Sequence, residues 1–151
     1  MNSEEYKDIL KLAIENEVEA YEFYDYAVSK VKDANLKSIF EKLAEEELRH
    51  KKILEGFINN EDKPLRFNRP TNYKISETVE TPKFSPDMKF ADAIGLAMKK
   101  EEETMNMYKS FADISDDDGQ KNIFLELSKM EEGHKTRLED IYTNAAYAEV
   151  W

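Results

Sequence analysis

The sequence predicts an all-α protein with four helices, and three observations lead to this fold class. Gly and Pro number only four each among 151 residues, which suits long helices better than a β protein with many turns. Apolar residues recur at three- and four-residue steps through four segments, as on one face of an amphipathic helix. All four prolines fall between the second and third segments. The length and the apolar content predict that residues 1–151 form a single domain.

The four helices are predicted at about 4–32, 35–58, 87–114 and 119–142. The stretch at about 59–86 has no helical period and is predicted to cross from the second helix to the third. Two helical hairpins with short loops, joined by one long crossover, describe the ferritin-like four-helix bundle.

Local signals support these boundaries. Asp33, Ala34 and Asn35 separate the first two helices, and the segment SDDDGQ (115–120) separates the last two. Ser85 followed by Pro86 is typical of an N-cap with proline in the first helical turn. We therefore expect the third helix to begin directly after this pair.

The two predicted hairpins are related by an internal repeat with a shift of 84 residues. The shift is 134 − 50 = 84 between the only two histidines and 131 − 47 = 84 between the glutamates that precede each of them. The matched pairs are Leu12 and Leu96, Ala13 and Ala97, Glu17 and Glu101, Tyr24 and Tyr108, Phe40 and Phe124, Leu43 and Leu127, Lys51 and Lys135, and Leu54 and Leu138. The hairpins are therefore interpreted as diverged copies of one unit.

Polar residues occupy gaps in the apolar stripes, at positions that should point into the core. These residues are Glu17, Glu47, His50, Glu101, Glu131 and His134. Burial of one unpaired carboxylate costs several kcal/mol, and four carboxylates close together also repel each other. Because no Arg or Lys lies on these inward positions, we expect metal to neutralise them: four carboxylates carry −4 and two divalent ions carry +4.

The spacing also suits metal binding, because Glu and His at i and i+3 share one helix face. One Glu from each of two helices, plus Glu-x-x-His from each of the other two, is the known ligand inventory of ferritin-like di-iron and di-manganese proteins. Mixed carboxylate and imidazole ligands suit iron or manganese, and do not suit an all-oxygen calcium site. The cofactor prediction from these residues is therefore two metal ions, iron or manganese, since the ligand types suit both.

Two further residue groups lie near the proposed ligands. Tyr24 and Tyr108 lie two turns beyond Glu17 and Glu101 on the same face. They are interpreted as core aromatics, with a hydrogen bond to a metal-bound carboxylate as the alternative. Glu102, next to a proposed ligand, is expected to be a solvated residue of the helix surface.

Composition disfavours several classes of function. The net charge of −11 disfavours nucleic acid and anionic membrane surfaces as partners, because both are polyanions. With no cysteine in the sequence, disulfides, iron–sulfur clusters and thiol catalysis are excluded. Neither a signal-peptide pattern nor an apolar run of membrane-spanning length is present. A cytoplasmic location is therefore expected.

At these residues the sequence resembles the rubrerythrin branch of the ferritin-like superfamily. The segment ENEVEAYEFY (15–24) is similar to the first-helix pattern of the family, and AEEELRH (44–50) and SKMEEGH (128–134) are similar to its Glu-x-x-His motifs. The ending EVW is also similar to the endings of relatives in this family. The resemblance implies a non-haem di-iron site, a peroxide-reducing activity as in rubrerythrin itself, and a homodimer.

The sequence departs from rubrerythrin in two respects. Rubrerythrin has an iron centre held by four cysteines, and this sequence has none, so electrons would come from a separate donor such as a rubredoxin or a flavin reductase. Rubrerythrin also has a further glutamate three residues after its third-helix ligand, where this sequence has Thr104. The resemblance therefore implies metal binding more directly than it implies efficient peroxidase action.

Three functions stay open at this point. The first is an oxidoreductase whose metal pair reduces hydrogen peroxide or dioxygen. The second is an iron-handling protein that binds and oxidises ferrous iron, which the acidic net charge would help to attract. The third is a helical bundle in which the metal pair is structural.

Overall fold

The computed structural model describes residues 3–59, 76–78, 81–85 and 87–150. Within these residues the chain forms four α-helices and one short 3-10 helix, and no strand. The α-helices are α1 (Ser3–Lys30), α2 (Ala34–Ile58), α3 (Phe90–Ile114) and α4 (Asp118–Val150), and the 3-10 helix spans Ser76–Thr78.

The chain divides into two compact units, Met1–Pro64 and Leu65–Trp151. In the first unit α1 packs along α2. In the second unit α3 packs along α4, and the short 3-10 helix packs against α3. Each unit therefore contains one of the two predicted helical hairpins. The prediction that residues 1–151 form a single domain stays a prediction.

The turn between the two helices has the same construction in both units. The side chain of Asp33 accepts a hydrogen bond from the Leu36 N–H at 2.9 Å and so caps α2. The side chain of Asp117 accepts one from the Gln120 N–H, also at 2.9 Å, at the start of α4. An aspartate in this position stabilises a helix by satisfying one of its first N–H groups. The shift of 84 residues therefore relates the helix caps as well as the stripes.

The core of each unit consists of the apolar residues that the helical period selects. In the first unit the buried apolar residues include Leu10, Ala13, Tyr24, Ala27, Val31, Leu36, Phe40, Leu43 and Leu54. In the second unit they include Ala91, Ile94, Ala97, Met98, Met105, Tyr108, Ala112, Phe124, Leu127 and Leu138. Burial of such a side chain contributes about 1.5–3 kcal/mol, so these stripes fix which face of each helix is turned inward.

Two predicted helix boundaries differ from the structure by three residues or more. Helix α3 begins at Phe90 and not at 87, because Ser85 stabilises a turn before the helix: its Oγ accepts a hydrogen bond from the Asp87 N–H and its carbonyl accepts one from the Met88 N–H. Helix α4 continues to Val150 and not to 142. The added residues include three alanines, and alanine is the strongest helix former.

Most of the predicted crossover at 59–86 lies outside the described residues. Its described parts are Asn59, the 3-10 helix and residues 81–85. None of the described helices is long and apolar enough to cross a membrane.

Candidate metal centre

The first unit brings three of the predicted ligands together. Glu17 lies on α1, and Glu47 and His50 lie one turn apart on α2. The His50 Nδ1 atom is 3.4 Å from Glu17 Oε2 and 3.6 Å from Glu47 Oε2. All three side chains are buried. They form a compact cluster, which we call the first ligand cluster.

The second unit repeats this arrangement with Glu101 on α3 and with Glu131 and His134 on α4. The His134 Nδ1 atom is 3.9 Å from Glu101 Oε2 and 3.9 Å from Glu131 Oε2. Both glutamates are buried, and the side chain of His134 is 15% exposed. We call these residues the second ligand cluster. The second ligand cluster is more exposed to solvent than the first, although both contain two glutamates and one histidine.

The electrostatics of the first ligand cluster require a positive charge beside its two carboxylates. Burial disfavours the charged imidazole and by itself lowers the pKa of His50. Hydrogen bonds and charges from Glu17 and Glu47 outweigh this effect and raise the pKa of His50 from 6.5 to about 10. In the metal-free protein the imidazole therefore holds a proton at neutral pH, in the place where a metal ion would supply the charge.

The spacing of the donor atoms also fits a metal ion. Oxygen and nitrogen ligands lie about 2.1 Å from a divalent transition-metal ion, so two ligands of one ion are about 3.0–3.9 Å apart at angles between about 90° and 135°. All four histidine–carboxylate distances, from 3.4 to 3.9 Å, fall in this interval. Two carboxylates and one imidazole per cluster match the ligand types that iron, manganese and zinc accept.

Comparison with known proteins decides the family. The family model for rubrerythrin matches residues 8–142. The chain belongs to the rubrerythrin family. A solved structure of a hypothetical protein from Pyrococcus furiosus is similar to it, with a TM-score of 0.62 and 26% sequence identity, over 94% of this chain and 90% of that chain. No curated protein matches the sequence. The predicted all-α fold of the ferritin-like class is confirmed by the helices and by the family.

Tyr24 and Tyr108 of this rubrerythrin-family chain are fully buried. The ring of Tyr24 stacks on Phe40 with the centroids 5.9 Å apart. The ring of Tyr108 contacts Phe111 edge to face at 6.4 Å, and Phe111 in turn contacts Phe124. These contacts agree with the interpretation of both tyrosines as core aromatics. Their hydrogen bonding to a metal-bound carboxylate stays a prediction.

Thr104 occupies the position where rubrerythrin has a further glutamate. Its side chain is buried, and its hydroxyl donates a hydrogen bond to the Lys100 carbonyl at 3.1 Å. A hydroxyl directed to the backbone of its own helix adds no negative charge to the second ligand cluster. The cluster therefore has the two carboxylates of Glu101 and Glu131 and no third carboxylate at this position.

A buried polar network in the second unit was missed by the sequence analysis. Lys135, directly after His134, is fully buried on α4. Its Nζ atom donates to Glu139 Oε2 at 3.0 Å and to Glu77 Oε1 at 2.8 Å. Burial lowers the pKa of Lys135, but these two carboxylates outweigh that effect and raise it above its ordinary value.

The same network corrects the expectation that Glu102 is a solvated surface residue. Glu102 Oε2 accepts hydrogen bonds from the Ser76 hydroxyl at 2.7 Å and from Lys99 Nζ at 3.1 Å. The partner in the crossover is 26 residues away in sequence, so helical periodicity gave no signal for it. Lys135 is a buried cation that follows the proposed ligand His134 in the sequence, and its charge is matched by Glu77 and Glu139.

Gly133, between Glu131 and His134, has a simpler role than its position suggests. A Cβ atom added at this residue would meet no other atom within 4 Å. Glycine inside a helix is less favourable than alanine by about 1 kcal/mol. We therefore expect Gly133→Ala to stabilise the protein by about 0.5–1 kcal/mol, measured by urea unfolding of the metal-free chain. A loss of stability would show that α4 needs glycine at this position.

Proposed function

We propose that this protein is a non-haem di-iron carboxylate protein, with manganese as the alternative metal. The observation that carries the proposal is the occurrence of the same three-residue cluster in both units, at donor spacings that fit a metal ion. The six proposed ligands are Glu17, Glu47, His50, Glu101, Glu131 and His134. The inventory is that of ferritin-like di-iron proteins, and family membership supports it.

Charge balance supports two ions per chain. Each cluster contains two carboxylates and one histidine, so one divalent ion with a neutral imidazole brings each cluster to zero net charge. Burial of uncompensated carboxylates costs several kcal/mol per ion even after relaxation. Metal binding is therefore the state in which these buried residues are electrostatically satisfied.

We further propose that the protein is an oxidoreductase that reduces hydrogen peroxide or dioxygen. A bound pair of ferrous ions would supply two electrons in one encounter, and with two protons these convert hydrogen peroxide to two molecules of water. The residues of the chain hold the ions, compensate their charge and keep most of the surrounding water out. Because the sequence contains no cysteine, the proposed electron donor is a separate protein of the rubredoxin or flavin-reductase type.

Iron handling is the second candidate function, and Thr104 is the observation that favours it. Oxidation of both ions raises their total charge by two, and a further carboxylate would compensate part of that increase. Thr104 instead directs its hydroxyl to the Lys100 carbonyl. A site without that compensation is less suited to repeated turnover between the two oxidation states, and a protein that binds iron and oxidises it for storage or transfer does not need such turnover.

A peroxide titration separates the two functions. We expect the protein loaded with ferrous ion under argon to be oxidised by one equivalent of hydrogen peroxide per metal pair, and then to stop until a donor is added. Stopped-flow absorbance measures the rate, and free ferrous ion in the same buffer is the control. If the loaded protein is not oxidised faster than free ferrous ion by peroxide or by air-saturated buffer, the oxidoreductase proposal is wrong and iron handling is favoured.

A further inference from the structure

The short 3-10 helix of the crossover is held against α3 and α4 by a group of polar residues. We call this group the clamp, and its members are Ser76, Glu77, Glu102, Lys135 and Glu139. Ser76 is fully buried, as are Lys135 and Glu139. Hydrogen bonds between buried polar groups hold a structure in one arrangement, so the clamp fixes the position of Ser76–Thr78 against α3 and α4.

One residue of the clamp connects the two ligand-bearing helices. The Ser76 hydroxyl donates to Glu102 Oε2 on α3 at 2.7 Å, and the Ser76 N–H donates to Glu139 Oε2 on α4 at 2.9 Å. Glu139 also accepts a hydrogen bond from Lys135 Nζ at 3.0 Å. Ser76 therefore joins α3 to α4 through one partly buried and one buried hydrogen bond.

Two residues of the clamp neighbour members of the second ligand cluster in the sequence. Glu102 follows Glu101 in the sequence, and Lys135 follows His134. The clamp thus holds the backbone of α3 and of α4 at the residues next to two proposed ligands. The distance from Glu101 Oε2 to His134 Nδ1 is 3.9 Å, the upper end of the spacing that one ion accepts, so a small separation of the helices would take this pair out of range.

In the described part of the first unit, the residues related to the clamp by the repeat do not form an equivalent network. The shift of 84 residues relates Glu102 to Val18, Lys135 to Lys51 and Glu139 to Glu55. Val18 cannot accept a hydrogen bond through its side chain, Lys51 is half-buried and Glu55 is exposed. The clamp is therefore specific to the second copy of the repeat.

We propose that Ser76 and Lys135 are positioning residues for the metal held by the second ligand cluster, acting through the helix segments that carry Glu101 and His134. The proposal rests on the proposed metal binding, and it adds that the crossover controls one metal position and leaves the other unaffected. A role confined to general stability would not separate the two positions.

The test is a Co²⁺ titration of the metal-free protein, followed by calorimetry and by the visible absorption of the bound ion. His134→Ala and His50→Ala first assign one binding step to each cluster. We then expect Ser76→Ala to weaken the step assigned to His134 about tenfold, the lower end of the effect of removing groups that support metal ligands. We expect Lys135→Met to weaken the same step at least as much. The matched control is Lys51→Met, which should leave both steps unchanged.

The outcomes distinguish this proposal from the proposed function. If the unsubstituted protein binds two Co²⁺ ions and Ser76→Ala binds both with unchanged affinity, the clamp has no positioning role. Equal weakening of both steps would also overturn the proposal, because it would show a general effect on stability. An unsubstituted protein that binds no Co²⁺ would overturn the proposed metal site, and this inference with it. If Lys135→Met does not fold, Ser76→Ala decides the question alone, since it removes only one hydroxyl.

Discussion

Lys135→Met should destabilise the protein by about 3–5 kcal/mol. Lys135 and Glu139 are both fully buried, and Lys135 Nζ lies 3.0 Å from Glu139 Oε2. Removal of one member of a buried ion pair leaves the other charge without compensation, which is the reason for a cost of this size. The contact with Glu77, which is 35% exposed, should contribute little, because exposed ion pairs are worth at most about 1 kcal/mol. Urea unfolding of the metal-free protein measures the difference.

Two variants provide the controls for this result. Lys51→Met makes the same substitution at the repeat-related residue, which is half-buried, and should change stability by less than about 0.5 kcal/mol. The double variant Lys135→Met, Glu139→Gln removes the uncompensated charge and should recover a large part of the loss, because the glutamine oxygen still accepts from the Ser76 N–H. If the free energy of unfolding of Lys135→Met is within about 1 kcal/mol of that of the unsubstituted protein, the buried pair is not important for stability.

Metal loading should raise the melting temperature by about 10–20 °C over the chelated protein. Each ion that binds only the folded chain, at a free concentration of one hundred times its Kd, adds about 2.7 kcal/mol, so two ions add about 5 kcal/mol. One kcal/mol corresponds to about 2–4 °C for a protein near 150 residues. The measurement is a thermal melt with ferrous ion under argon and with chelator. Mg²⁺ should give a much smaller shift, because it prefers oxygen ligands and keeps its water.

The variant His50→Ala, His134→Ala should lose most of this stabilisation. It retains the four glutamates, so an equal shift in this variant would mean that the carboxylates bind the ions without the histidines. Identical melts of the unsubstituted protein with and without metal would contradict the assignment of the two clusters as metal ligands.

The effect of metal on stability should also depend on pH. The pKa of His50 is about 10 in the folded, metal-free protein and is expected near its ordinary 6.5 in the unfolded chain. The bound proton therefore stabilises the folded state fully below about pH 6.5, and this contribution is lost as the pH rises through about 10. A metal ion must displace this proton from His50 when the pH is below about 10, and the competition from the proton is stronger at lower pH. The difference between the melting temperatures of loaded and chelated protein should therefore increase between about pH 6 and pH 8.5.

The sequence predicted the helices, and it selected the six residues of the two clusters as candidate ligands, because both inferences depend on local periodicity; their role as metal ligands stays a prediction. Glu17 and Glu47 fall in the apolar stripes of α1 and α2, and a hairpin with a short turn leaves few ways to arrange those stripes. His50 and His134 followed from the repeat. The structure places the Nδ1 atom of each histidine within 3.9 Å of both glutamates of its own unit.

The sequence did not predict the clamp because its members are distant in the chain and lack a period. Ser76 bonds to Glu139 across 63 residues, and it lies in a crossover with no helical pattern. Lys135 matched Lys51 in the repeat, so the comparison of copies gave no reason to place one inside and the other at the surface. The predicted start of α3 was wrong for a related reason. Ser85 forms a turn before the helix, and the local sequence signal does not distinguish such a turn from a helix cap.

The sequence separation of the clamp also has a consequence for the order of folding. The α1–α2 hairpin closes through three residues, 31–33, whereas the clamp needs Ser76 to find Glu139 across 63 residues. Local contacts form with little loss of chain entropy, and distant contacts form later. The crossover should therefore dock after the transition state, so that Ser76→Ala increases the unfolding rate and leaves the refolding rate nearly unchanged. The second unit would then gain the final part of its kinetic stability from a segment that the first unit does not have. A slower refolding rate for Ser76→Ala in a chevron plot would contradict this order of folding.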